Sequence, residues 1–129
     1  MNEAAHTHQI VILCSDMLFL SKITGVAKLL GFSFCTALSS KKAAEYLTEE
    51  GSQLILIDLT TPNLNWELLA SIHHRNPHLV SIAFGPHVDT DLLEQAKAAG
   101  CTQVLPRSKF SAQLPQLLQA AFESDQNHS

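Results

Sequence analysis

The sequence predicts an α/β domain built on a five-stranded parallel sheet, and two observations carry that reading. Five short apolar runs alternate with five stretches of helical length and periodicity. That order yields parallel strands joined by right-handed crossovers, with helices on both faces of the sheet. In addition, Leu54-Ile55-Leu56-Ile57 sets four large aliphatics in succession, the mark of a strand buried on both sides. This run ends on Asp58, with Pro62 four residues later. A carboxylate therefore stands at the carboxyl end of a central strand, where open α/β sheets place their ligands. An Asp there equally serves to cap a loop.

The strands are expected at Ile10 to Cys14, Phe32 to Thr36, Leu54 to Ile57, Leu79 to Phe84 and Gln103 to Leu105. Between the first two, Leu20, Ile23, Val26, Ala27 and Leu30 recur at spacings of three and four, predicting a helix over Met17 to Leu30. Ser39 or Ser40 caps the second helix, which is expected to run to about Glu50 and end before Gly51. The third spans Leu64 to His74 and stops near Pro77. The fourth runs from Asp89 or Thr90 to Ala99 and closes on Gly100. The last begins near Ser108 or Ser111, with Pro115 tolerable only in its first turn. Neither a repeat nor a linker interrupts the series. One domain is expected, with its core over about 9–122 and frayed ends at Met1 to Gln9 and Ser124 to Ser129.

Composition narrows the function classes. With 46% hydrophobic residues, the chain builds a core without disulfides or metal. Charged residues make up 16% and the net charge is −4, which argues against a nucleic-acid surface. No apolar run approaches the roughly 20 residues that span a bilayer, and the polar start, carrying Glu3, is not ordered like a signal peptide. Cys14, Cys35 and Cys101 are odd in number, widely spaced and set among apolar residues. They read as buried thiols of a cytosolic protein rather than a disulfide framework or a zinc site. No nucleophile elbow, phosphate-binding glycine loop or dinucleotide fingerprint occurs, so nothing points to an independent enzyme.

Five βα units in about 120 residues, the run Leu54-Ile55-Leu56-Ile57-Asp58-Leu59-Thr60-Thr61-Pro62, and Ala98-Ala99-Gly100-Cys101 before the fifth strand together resemble the receiver domain of two-component response regulators. The resemblance covers Gln9 to Phe122. It implies a flavodoxin-like sheet in the strand order 2-1-3-4-5, and Asp58 as the acceptor of a phosphoryl group from a histidine kinase. Transfer to a carboxylate needs charge neutralisation, because the attacking and transferred groups are both anionic. Receivers supply it with Mg²⁺, held by an acidic pair after the first strand together with the acceptor.

The matching stretch here, Leu13-Cys14-Ser15-Asp16, keeps one carboxylate. Asp16 falls one residue late if Ile10 to Leu13 is the strand, and it also reads as the N-cap of the first helix. Asp16 and Asp58 alone would make a weak magnesium site. Where the family's fourth strand ends in Thr or Ser, this chain has Gly85, without a hydroxyl. Where the fifth ends in Lys, it has Arg107, which keeps the charge on a planar fork. Arg107 could clamp an oxyanion, pair permanently with Asp58, or lie solvated at a helix start. Val104 replaces the aromatic residue of the family's switch.

The histidines, Trp66 and Cys14 also invite chemistry. His73 and His74 point to different helix faces, Pro77 separates His74 from His78, and His6 and His8 lie near the start. Solvated helix-end histidines are expected rather than a metal site. His87 sits on the loop above the presumed site. Trp66 is expected to pack under the third helix, and Cys14 to be a buried structural thiol.

Three functions compete. The first is a signalling adaptor with a degenerate acceptor site, resembling the atypical or pseudo-receivers. It would bind a histidine kinase or an output protein, or a second copy of itself, through the face of the fourth helix, fifth strand and fifth helix. That face carries Asp89, Asp91, Glu94, Lys97, Val104, Lys109 and Gln113. The second is a phosphorelay acceptor using Asp58, a magnesium ion on Asp16 and Asp58, and Arg107 for the lysine. The third is an anion sensor built on Arg107. With no output domain after Ser129, any effect is expected to pass through a separate protein.

Overall fold

The computed structural model describes residues 9–48, 53–86 and 89–126, the side chains of 124–126 excepted. Five strands alternate with five helices: β1 (Ile10–Leu13), α1 (Met17–Leu29), β2 (Phe34–Ala37), α2 (Ser40–Tyr46), β3 (Leu54–Asp58), α3 (Trp66–Arg75), β4 (Val80–Gly85), α4 (Thr90–Ala98), β5 (Gln103–Pro106) and α5 (Arg107–Gln126). All strand pairs are parallel, in the order β2-β1-β3-β4-β5. The expected sheet is the observed one.

Alternation along the strands divides the core in two. Ile10, Ile12, Leu54, Leu56, Ile82 and Phe84 face α1 and α5, and pack on Leu20, Ile23, Phe110, Leu114 and Leu118. Val11, Leu13, Ile55, Ile57 and Ala83 face the other side, against Ala43 of α2, Leu69 and Ile72 of α3 and Ala96 of α4. Because both faces are covered, the central strands carry no polar alternation. The first polar side chain of β3 is Asp58, at its end.

Several boundaries differ from expectation, each for a local reason. β2 begins at Phe34 rather than Phe32, because the Phe32 N–H is used to close α1 on the Ala27 carbonyl. α2 stops at Tyr46, well short of Glu50: Leu47 turns extended, and the Thr48 N–H bonds the Gln53 side chain instead of a helical carbonyl. Glu50 and Gly51 lie outside the described residues. α3 starts at Trp66 rather than Leu64, since Asn65 supplies the cap with its Oδ1 on the Leu68 N–H. Trp66 itself is half-buried against the core of the α2–α4 side. Gly100, at φ +104, follows α4 as expected, in a conformation that glycine adopts without strain.

α5 departs most from expectation. It starts at Arg107, directly after β5, runs through Pro115 well past its first turn, and reaches Gln126 rather than fraying at Ser124. An interior proline costs a helix about 3 kcal/mol. Leu114, Leu117, Leu118 and Phe122 flank it and are all buried. At roughly 1.5–3 kcal/mol for each buried side chain, they outweigh that cost.

The cysteines are free, and burial pushes every thiol up, Cys14 to about 12 and Cys35 and Cys101 to about 11. Only Cys14 is fully buried; Cys35, on the edge strand β2, and Cys101, in the α4–β5 turn, are half-covered.

Candidate functional site

The loops at the carboxyl ends of the strands bring Asp16, Asp58 and Arg107 together. Asp58 is the last residue of β3 and is 0% exposed. Its Oδ1 accepts the Thr60 N–H at 2.9 Å and the Thr60 hydroxyl at 2.7 Å. Its Oδ2 accepts the Cys14 thiol at 3.3 Å. That thiol stays protonated as a donor, since burial first, and then the Asp58 charge, raise it to about 12.

The Arg107 guanidinium covers the carboxylate, with Nη2 3.4 Å from both Asp58 oxygens and from the Thr60 hydroxyl oxygen. Its Nη1 donates to Asp16 Oδ2 at the shorter distance of 3.0 Å. The guanidinium also stacks on the Phe19 ring, its central carbon 4.7 Å from the ring centroid.

Asp16 holds two roles at once. β1 ends at Leu13, so Cys14 and Ser15 take the positions directly after the strand and Asp16 is displaced. It caps α1, its Oδ1 accepting the Phe19 N–H at 3.2 Å, while Oδ2 binds Arg107. The Phe19 N–H and then Arg107 hold its carboxyl below the ordinary aspartate range. A carboxyl depressed in the fold stabilises above its unfolded pKa, and that contribution is lost as pH falls through the folded value. Asp16→Asn keeps a capping side chain but removes the charge. It should therefore flatten the decline of the melting temperature below about pH 4, which melts between pH 2.5 and 6 would measure.

Solved structures place the fold that carries these residues. No family model matches the sequence, and no curated protein matches it. The chain is similar in structure to a CheY-like response regulator receiver domain protein from Methanospirillum hungatei JF-1, with a TM-score of 0.78 at 16% identity over 95% of this chain and 99% of that one. It is equally similar to the signal receiver domain of an HD domain-containing protein from Pseudomonas fluorescens Pf-5, with a TM-score of 0.78 at 20% identity over 95% and 92% of the two chains. A response regulator receiver domain protein from Clostridium thermocellum follows at 0.76, with 20% identity over 93% and 98%. The chain has the receiver-domain fold. At such identities the likeness carries the fold alone, and the site has to be read from its own residues.

Within that fold, Gly85 ends β4 one residue past the Asp58 partner Phe84 and offers the site no side chain. A Cβ added at Gly85 would lie 3.0 Å from the Leu59 Cβ and 3.3 Å from its Cδ1. Leu59 is buried over the position where a Thr or Ser side chain would stand. Val104 is half-buried in β5, pairs with Ala83 and packs into the core of the α2–α4 side. Asp91, Glu94 and Lys97 on α4, and Lys109 and Gln113 on α5, are exposed; Asp89 caps α4 through the Leu92 N–H.

Of the histidines, His74 and His78 are exposed, whereas His73 is not the solvated side chain expected. Its Nδ1 lies 2.8 Å from the Leu69 carbonyl and its Nε2 2.6 Å from the Ser81 hydroxyl, because its position on α3 faces the start of β4. A carbonyl only accepts, so Nδ1 carries the proton. His6, His8 and His87 lie outside the described residues.

Phe19, Leu59 and Thr60 join the site beyond the residues expected there. The sequence did hold a signal for Thr60, a hydroxyl residue two after an Asp that ends a strand, which is the spacing of a local side-chain turn.

Beside the site, Thr61 Oγ1 is the buried side-chain nitrogen or oxygen without a hydrogen-bond partner among the described residues. Thr61→Val removes an unsatisfied hydroxyl at constant shape. Its urea midpoint should be unchanged or higher, by up to about 1 kcal/mol in stability.

Proposed function

We propose that this chain is a two-component signalling protein of the receiver type that acts in the cytosol as a non-enzymatic adaptor, with Asp58 held out of phosphoryl chemistry. One observation carries the reading: Arg107 bonds both Asp16 and Asp58, over an Asp58 that is 0% exposed. A nucleophilic carboxylate must present a lone pair to the incoming phosphorus. Here both oxygens already accept hydrogen bonds and a cation closes the way in.

The residues present do not fit Mg²⁺. That ion wants near-octahedral oxygen ligands. The position after β1 is a thiol, and all four carboxylate oxygens of Asp16 and Asp58 are engaged by protein donors. Arg107 supplies the positive charge instead. Partner binding then falls to surfaces that need no phosphorylation, and the exposed mixed charges of Asp91, Glu94, Lys97 and Lys109 suit a kinase, an output protein or a second copy.

A second reading, Asp58 as a working phosphoacceptor, draws on one distance. Arg107 lies 3.4 Å from Asp58, longer than the ~2.7–2.9 Å of a tight charged pair. Arg107 is anchored on Asp16 and only rests on Asp58. Incubation with labelled acetyl phosphate and Mg²⁺ separates the two readings. The adaptor reading expects no incorporation, and label that disappears in Asp58→Asn would establish the acceptor.

A further inference from the structure

The sheet has two edges, and they differ. β5 ends on Pro106, which has no N–H to offer a further strand. At the other edge, β2 consists of Phe34-Cys35-Thr36-Ala37, with neither a charge nor a proline to blunt it. Its inward side is fixed by β1: the Ser33 and Ala37 carbonyls accept the Ile10 and Cys14 N–H groups at 3.1 and 3.2 Å. Backbone groups alternate in direction along a strand. Those of Phe34 and Thr36 therefore point outward, with no strand beyond them among the described residues. Thr36 is exposed there, and Leu38, directly after the strand, is 66% exposed.

This edge is complementary to itself. Antiparallel pairing of two copies about Thr36 sets the two Thr36 side chains opposite each other, and Phe34 of each copy opposite Leu38 of the other. Hydroxyl then meets hydroxyl and aromatic meets aliphatic, both matches that stabilise neighbouring strands. The charges beside the edge agree. Ser40 ties α2 to the α3 side by accepting the Asn65 N–H at 3.0 Å. Lys42 and Glu45 lie about 200° and 140° round the helix from Ser40, away from α3 and towards β2. Both are exposed, and they are of opposite sign. A two-fold axis at Thr36 runs the two α2 helices antiparallel, so that Lys42 of each copy faces the side carrying Glu45 of the other. We propose that β2 is a homodimer edge, through which two copies of this chain join antiparallel over Phe34 to Leu38 into one continuous sheet. Four-residue strands bury little area, so the dimer is a weak one. It goes beyond the adaptor reading and does not depend on it. The charged α4 and α5 surface lies towards the β5 edge and stays free, so a dimer presents it twice and holds a two-site partner by both.

Sedimentation velocity and amide NMR of the full chain, over a micromolar to millimolar concentration series, test the interface. The wild-type chain should move from one copy towards two, and the amides that shift with concentration should centre on Phe34 to Leu38. Thr36→Lys sets two ammonium groups opposite each other and should weaken association about five- to tenfold, with unchanged far-UV circular dichroism. Lys97→Glu, on α4, should leave association as it is. The NMR series needs no variant and decides the question even if Thr36→Lys fails to fold. A wild-type chain that stays monomeric at millimolar concentration would overturn the inference. So would a dimer undiminished by Thr36→Lys, or concentration-dependent shifts that centre on α4, β5 and α5. Failure of the adaptor reading is a separate result, acetyl phosphate labelling of the wild-type chain, and leaves this test untouched.

Discussion

Arg107→Leu should lower the stability of the domain by about 2–3 kcal/mol and its melting temperature by roughly 10 °C. Removing one partner of a buried pair typically costs about 3–5 kcal/mol, because a buried charge is left behind. Asp58 meets that condition fully. Arg107, however, is one-third exposed, so water can partly replace it and the figure is discounted. The Thr60 and Cys14 bonds stay in place and soften the loss further. Asp58→Asn should cost within about 1 kcal/mol, since the amide oxygen still accepts from Thr60 while the charge that needed Arg107 is gone. The double variant should then recover most of the Arg107→Leu loss. Chemical denaturation of all four proteins gives the coupling directly. A double variant as unstable as the sum of the two would mean that Arg107 acts through packing alone.

Gly85→Thr should destabilise the fold by about 1–3 kcal/mol, the usual cost of forcing volume into a packed site. The Leu59 Cβ, 3.0 Å from the new Cβ, is tied to the backbone and cannot rotate away. The Leu59 N–H is in turn bonded to the Phe84 carbonyl at 2.9 Å, which fixes that backbone. Leu59→Ala alone should cost about 2–4 kcal/mol as a cavity. Combined with Gly85→Thr it should cost somewhat less than the sum, since the threonine fills part of the space left by the Leu59 Cγ and Cδ1, while the 3.0 Å contact with the Cβ remains. Urea unfolding of the three variants checks this, and strict additivity would contradict a contact between the two positions.

The fold was legible because its central strands are buried on both faces: Leu54 to Ile57 could be little else, and the polar residue ending that run marked the carboxyl edge of the sheet. Helix α1 was legible from its periodicity to within one residue. What escaped was set by tertiary packing. The Phe32 N–H closes α1 rather than starting β2, and Pro115 is carried inside α5 by the buried side chains around it. In the site, the Asp58 position followed from the sequence alone, while the joint hold of Arg107 on Asp16 and Asp58 did not. Those carboxylates lie 91 and 49 residues from Arg107 in the chain, and only the sheet order brings them to one place. Asp16 caps α1 as one of its two readings expected, and its second oxygen binds Arg107, because a carboxylate has two oxygens and each found a partner. Leu59 over Gly85 and Phe19 under Arg107 had no signature, being apolar side chains like their neighbours.

The most direct test of Arg107 as the cation of this site is an amide NMR titration with Mg²⁺ and then beryllofluoride, a mimic of the aspartyl phosphate, with Asp58→Asn alongside. With Arg107 in that role, the Asp58, Leu59 and Thr60 amides of the wild-type chain should stay in place at millimolar Mg²⁺ and on adding beryllofluoride. Saturable shifts there, absent in Asp58→Asn, would show an open acceptor and contradict it.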